Sequence, residues 1–285
     1  MGRVVAIAGG DLLSTRKLNV HAITLSNKTT PNVLFIGTAS HDAEGYIDAI
    51  TKEYNQLNCE VKSLCLVSGD QKDIDALLSW ADIIYVGGGD TIFMMQIWKQ
   101  YKLDEKLLEI YEKDFAVLTG ISAGAICWFN CGYSDSGSFQ EGNDWNYCWA
   151  NGMLHLFHMA YCPHYNEEGR DSFDKMLRAK NLAGLAMEND TAFVVNNGKP
   201  YFIRSNPNAN AFKIQYKNGT IEKQALKFKE QYSFLCFMEM KTKRGCHNSP
   251  VKIHSITAPP AAYDIQSPHV SGYISAEMDF LQSSF

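Results

Sequence analysis

No stretch of this chain approaches the roughly 20 consecutive apolar residues that cross a bilayer. The N-terminal Met1-Gly-Arg-Val-Val-Ala-Ile-Ala-Gly-Gly10 is apolar too briefly, and lacks the small-residue cleavage site, to act as a signal peptide. It reads as a first strand instead. There is no concentrated basic surface either: 26 basic and 31 acidic residues are mixed along the chain, with a formal charge of −5, which excludes a phosphate-backbone reader. The eight cysteines, at 59, 65, 127, 131, 148, 162, 236 and 246, contain no CxxC pair, and several sit inside apolar runs. Reduced core thiols are expected, not a disulfide framework. The Asn-x-Thr sequons at Asn27 and Asn218 carry little weight without secretion. Together these absences point to a soluble protein, expected in the cytoplasm, with no membrane and no nucleic acid among its partners.

What is present is ample material for a core: 285 residues, 46% of them hydrophobic. Short β-branched runs over 4–9, 32–38, 60–67, 83–87, 116–121, 158–164 and 182–187 alternate with helical spacing such as Tyr46, Ile47, Ile50, Tyr54 and Leu57, or Ile74, Leu77, Leu78 and Ala81. That alternation predicts an α/β fold, a doubly wound three-layer αβα sandwich around a mostly parallel sheet. Asn197-Gly198 and Asn218-Gly219 lie between strand-like runs in 191–205 and 211–226, so an antiparallel hairpin extension should follow. Residues 132–157 read as a long irregular loop. The folded domain is placed at 1–237, and the basic, then Pro- and Ser-rich stretch 238–285 reads as a loosely ordered tail.

The strongest chemical signal is Phe115-Ala-Val-Leu-Thr-Gly120-Ile-Ser122-Ala-Gly124-Ala-Ile-Cys-Trp-Phe129, an apolar strand entering Gly-x-Ser-x-Gly and then an apolar helical stretch. Such a turn exposes Ser122 Oγ above the sheet at a helix N-terminus, as a nucleophile requires; the plain alternative is a glycine-rich turn with a serine cap. A second strand enters Gly87-Gly-Gly-Asp-Thr91, without the spacing of a dinucleotide fingerprint or a P-loop. The amides of Gly88 and Gly89, with that of Ala123, are candidates for an oxyanion hole. A base is also needed, and among eight histidines His164 stands at a predicted strand end, where α/β sheets bind ligands. His155, His158 and Cys162 could join it around a metal, but the spacing matches no structural zinc motif. For the acid that orients the base, Glu188 after the following strand fits better than Asp135, with Asp190 as a fallback. A solvated carboxylate is the plain alternative for each.

In these stretches the chain resembles the peptidase E family of serine peptidases, which includes cyanophycinase-like enzymes. The matching segments are Leu34–Ser40, Tyr85–Thr91, Gly120–Ala125, Cys162–Tyr165 and the stretch around Glu188, in the family's order across roughly residues 3–230. The resemblance implies a class I glutamine amidotransferase-like fold with a Ser-His-acid triad in that chain order: Ser122, His164 and Glu188, with Asp135 also in a segment similar to one discussed for the family. It also implies cleavage after an N-terminal aspartate in small peptides, with a basic residue reading the carboxylate. Arg170 is the candidate, and Asp90 and Thr91 are further substrate-binding candidates. Asp90 stands where many members have Asn, and the tail from about 238 onward is not part of the resemblance.

The expected reaction is acyl transfer to Ser122 followed by hydrolysis, with a small peptide as substrate and no metal or organic cofactor required. A homodimer stays open as the assembly. Two rivals are an amide hydrolase using Cys127 or Cys162, and a non-catalytic binding module on the same scaffold.

Overall fold

The computed structural model describes residues 2–68, 73–141, 146–152 and 154–229. The expected tail, 238–285, lies outside the described residues. Among the described residues, thirteen strands form two sheets: β1 Arg3–Ile7, β2 Asn32–Ile36, β3 Glu60–Leu64, β4 Ile83–Val86, β5 Val117–Ile121, β6 Phe129–Ser134, β7 Cys148–Asn151, β8 Phe157–Cys162, β9 Gly184–Met187, β10 Thr191–Asn196, β11 Lys199–Arg204, β12 Ala211–Lys217 and β13 Thr220–Ala225.

The first sheet runs β11-β10-β1-β5-β4-β2-β3. Its five strands from β1 to β3 are parallel, and β10 and β11 extend it antiparallel beside β1. The central strands are continuously apolar because both faces are covered: Val4 to Ile7, Ile83 to Val86 and Val117 to Ile121 are almost wholly buried. Helix Arg16–Leu25 packs against β1, and helices Glu44–Gln56 and Ile74–Trp80 pack against β2 and β3. The fold is thus an αβα sandwich of the class I glutamine amidotransferase-like kind, with its mostly parallel sheet and its antiparallel extension.

Both Asn-Gly turns close hairpins. Asn197 and Gly198 have φ of +51° and +71°, and Asn218 and Gly219 have +50° and +85°. Positive φ at both central residues is what the tight hairpin turn demands, and Asn-Gly is the pair that tolerates it.

One part of the organisation differs from expectation. Strands β8 and β9, read from sequence as members of the same sheet, lie in a second sheet ordered β13-β12-β9-β8-β6-β7. The place beside β1 is taken by β10. Nor is 132–157 an irregular loop: it holds the end of β6, helix Ser136–Glu141, β7 and the start of β8. The helix after the elbow is likewise short, Ala123–Ile126, and Phe129 already begins β6. An unbroken apolar run cannot distinguish helix from strand by periodicity, which is why Cys127-Trp-Phe129 read as helical. Phe129 is fully buried, stacks on Tyr161 of β8 at 4.4 Å between ring centroids, and meets Phe193 of β10 at 5.9 Å, joining the two sheets through one core.

Candidate active site

Ser122 follows β5 directly and adopts φ +53°, ψ −114°, a conformation that costs a non-glycine residue about 1–3 kcal/mol. The surrounding chain holds it there. Its N–H donates to Ile7 O at 3.1 Å, continuing the ladder between β1 and β5, and its carbonyl accepts from Ala125 and Ile126. The flanking glycines are set by backbone crowding: a methyl at Gly120 would lie 2.2 Å from Gly124 O, and one at Gly124 would lie 2.2 Å from Val86 O. Gly-x-Ser-x-Gly is therefore the sequence of two chain segments packed without side chains between them.

His164, just beyond β8, also has positive φ, +53°. Its Nε2 is 2.8 Å from Ser122 Oγ. The strand ends of two different sheets thus deliver the hydroxyl and the imidazole to one point.

On the far side of the ring, Nδ1 lies 2.7 Å from Asn189 Oδ1 and 3.0 Å from Glu167 Oε1. Asn189 Nδ2 donates to the same Glu167 oxygen at 3.0 Å, and Asn189 N donates to Asn166 Oδ1 at 2.8 Å. The Glu167 carboxylate only accepts, so the Asn189 NH2 faces it and Asn189 Oδ1 faces the ring; with two acceptor oxygens against it, Nδ1 carries the proton and Nε2 is left to accept from Ser122. Burial works against ionisation of Glu167, but the hydrogen bond and charge of His164, the Asn189 amide and Arg170 outweigh it and hold the carboxyl below its usual range. Gly9, just beyond β1, completes the enclosure: a methyl there would lie 2.1 Å from Asn189 Oδ1 and 2.3 Å from His164 Nδ1.

Several residues expected at the site stand elsewhere. Glu188 does not meet His164: its Oε2 accepts from Asn210 N at 2.7 Å and Asn210 Nδ2 at 3.2 Å. Adjacent side chains along extended backbone point to opposite faces, so with Asn189 turned to the imidazole, Glu188 turns away. Asp190 lies against Gly10 and Asp135 pairs with Arg170, so neither alternative acid reaches the ring.

Arg170 is only 1% exposed; its Nη1 donates to Tyr133 O at 2.7 Å, its Nη2 is 3.4 Å from Asp135 Oδ2, and its guanidinium lies over the Tyr147 ring. Such a committed cation is not placed to read a substrate carboxylate. Asp90 instead caps helix Thr91–Tyr101, with Oδ1 accepting from Ile92 N and Phe93 N, and Thr91 is buried with its hydroxyl 2.9 Å from Ser134 Oγ. Both serve the fold.

Of the three amides assigned to an oxyanion hole, that of Gly88 flanks the serine closely, since a methyl on Gly88 would lie 3.4 Å from Ser122 Cβ. Its N–H donates to the Tyr46 hydroxyl at 3.3 Å. Gly89 has φ +133° and packs on the Ala39 carbonyl. Ala123 is the first residue of its helix, so no helical acceptor uses its N–H.

Sequence reading missed Glu167 and Asn189. The only signal for Glu167 is its position three residues after His164, close enough for a turn to bring it back onto the ring. Asn189 carried none, because a search for acids passes over an amide.

An α/β scaffold with a hydroxyl and an imidazole paired above its strand ends is one that hydrolases use. The profile of peptidase family S51 matches residues 4–202, and the chain belongs to that family and is a peptidase. The uncharacterized peptidase YgaJ of Bacillus subtilis is 29% identical over 221 residues, 75% of this chain and 92% of that protein. The uncharacterized peptidase Lmo0363 of Listeria monocytogenes is 31% identical over 146 residues, 50% of this chain and 69% of that protein. Among solved structures, a peptidase from an acI-B1 Actinobacterium superposes with TM-score 0.59 at 19% identity, covering 82% of this chain and 97% of that one. A candidate peptidase E protein of Listeria monocytogenes EGD-e gives 0.55 at 21%, covering 72% and 98%. Among the described residues no helix is long and apolar enough to cross a membrane.

Proposed function

We propose that this peptidase is of the serine type, with Ser122 as nucleophile and His164 as its base. The observation that carries the reading is the 2.8 Å contact between Ser122 Oγ and His164 Nε2 at a strained elbow. In the first step Oγ attacks the scissile carbonyl while Nε2 takes its proton. The tetrahedral intermediate is held by the amides of Ala123 and of Gly88 or Gly89, each such donor being worth about 3–4 kcal/mol of barrier. His164 then gives the proton to the leaving amine, and water repeats the sequence on the acyl-enzyme.

The thiol rivals are poorly placed for this work. Burial pushes the Cys127 thiol well above its ordinary range and the Cys162 thiol up to about 12, and a protonated thiol is a weak nucleophile. A binding module, for its part, has no use for a hydroxyl already sharing its proton with an imidazole. We place the protein in the cytoplasm on its scattered cysteines, which contain no CxxC pair.

A fluorophosphonate probe tests the serine reading without a known substrate. Wild type should be labelled and Ser122→Ala should not; labelling that survives the substitution, or a wild type that never reacts, refutes it. Within this reading we place the substrate among short peptides with an N-terminal acidic residue, on the family resemblance alone, since Arg170 is taken up by Asp135 and Tyr133. Rates on Asp-Xaa, Glu-Xaa and Ala-Xaa dipeptides decide it: equal rates would remove the acidic preference.

A further inference from the structure

The structure assigns Glu167, acting with Asn189, as the positioning carboxylate of His164, so that orientation and charge are divided between an amide and an acid. The inference rests on the serine reading above and adds the group that completes it.

Orientation comes from Asn189. Its carbonyl is the nearer acceptor for Nδ1–H, at 2.7 Å, and its backbone and amide are both fixed, by Asn166 and by Glu167. An amide carries no charge, however, and proton transfer from Ser122 leaves a positive imidazolium that needs a counter-ion. Glu167 Oε1, 3.0 Å from the same Nδ1, is that counter-ion. The groups facing His164 are Ser122 from the elbow, Asn189 and Glu167, with Gly9 contributing no side chain. Those whose charges Glu167 feels or influences are His164, Arg170, Tyr147 and Cys162. Glu167 comes from the turn that follows the base, tied by the hydrogen bond from Glu167 N to His164 O at 2.9 Å, so its register with the imidazole is set locally.

The test follows the rate of fluorophosphonate labelling against pH in the full chain. Labelling needs the base but no particular substrate. Glu167→Gln keeps the shape and hydrogen-bonding reach and removes the charge. Its labelling rate should fall about tenfold, and the acidic limb of the profile, where the base becomes protonated, should move down by about one pH unit, because an imidazolium without its counter-ion gives up its proton more readily. A variant that keeps both the wild-type rate and the wild-type limb overturns the assignment.

The exchanged pair, Glu167→Gln with Asn189→Asp, returns one carboxylate and one amide in swapped positions. It should recover the limb and most of the rate. If it melts at the wild-type temperature yet reacts no faster than Glu167→Gln, charge is not what Glu167 supplies and the assignment fails. Should the single variant not fold, the exchanged pair decides alone, with a rate more than tenfold below wild type counting against it. A wild-type chain that never labels would instead defeat the serine reading, and this inference with it.

Discussion

Gly9 shows how little room the paired side chains have. It sits just beyond β1, and any Cβ there would overlap both His164 and Asn189. Gly9→Ala should therefore push the imidazole off the serine and cut the rate of fluorophosphonate labelling about 100-fold, the scale on which a small misplacement at a reacting centre is felt. Stability should change far less than reactivity, and a urea melt beside the labelling rate would show it. A variant that labels at the wild-type rate would mean that the contact relaxes freely. At this scale the sequence was legible where chemistry and backbone agree, as at Ser122, whose glycines are dictated by the approach of Gly124 and Val86. It was illegible where one residue decides the facing. Glu188 and Asn189 are neighbours, an acid is the usual partner of a base, and only the course of the chain beyond β9 shows that Asn189 is the one turned inward.

Among the elements, helix Thr91–Tyr101 is the one whose start matters to the site, since it follows the glycine run beside Ser122. Asp90 supplies its cap by accepting from Ile92 N and Phe93 N. Asp90→Ala should cost about 1 kcal/mol of stability by urea denaturation, the ordinary worth of an N-cap; a loss of activity with no loss of stability would restore Asp90 to the substrate. Strand content was readable because apolar runs with glycine and asparagine punctuation leave few alternatives. Membership of a sheet was not. The runs that form β8 and β9 look the same whether they pair with β1 or, as here, with β6 and β12. The largely polar β13, exposed along its length, lies at one edge of that second sheet among the described residues, where a strand can carry charge.

Across the molecule, one contact sets a pH dependence remote from the chemistry. His21, on helix Arg16–Leu25, has its Nε2 2.8 Å from the Tyr201 hydroxyl on β11, and burial, helped by Lys229, lowers its pKa from 6.5 to about 4. An unfolded chain takes up that proton below about pH 6.5 while the native one resists until about pH 4, so the contribution is full above 6.5 and shrinks as pH falls through that window. Wild type should lose about 1–2 kcal/mol more than His21→Gln between pH 7.5 and pH 5 in urea denaturation. Equal losses would show that this imidazole does not resist protonation.

The hydroxyl and the imidazole ride on separate sheets, Ser122 after β5 of one and His164 after β8 of the other. Reactivity toward an acylating reagent is consequently a gauge of how those two slabs are seated. Because the two slabs share one core, through Phe129, Tyr161 and Phe193, a repacking between them should show first as slower acylation.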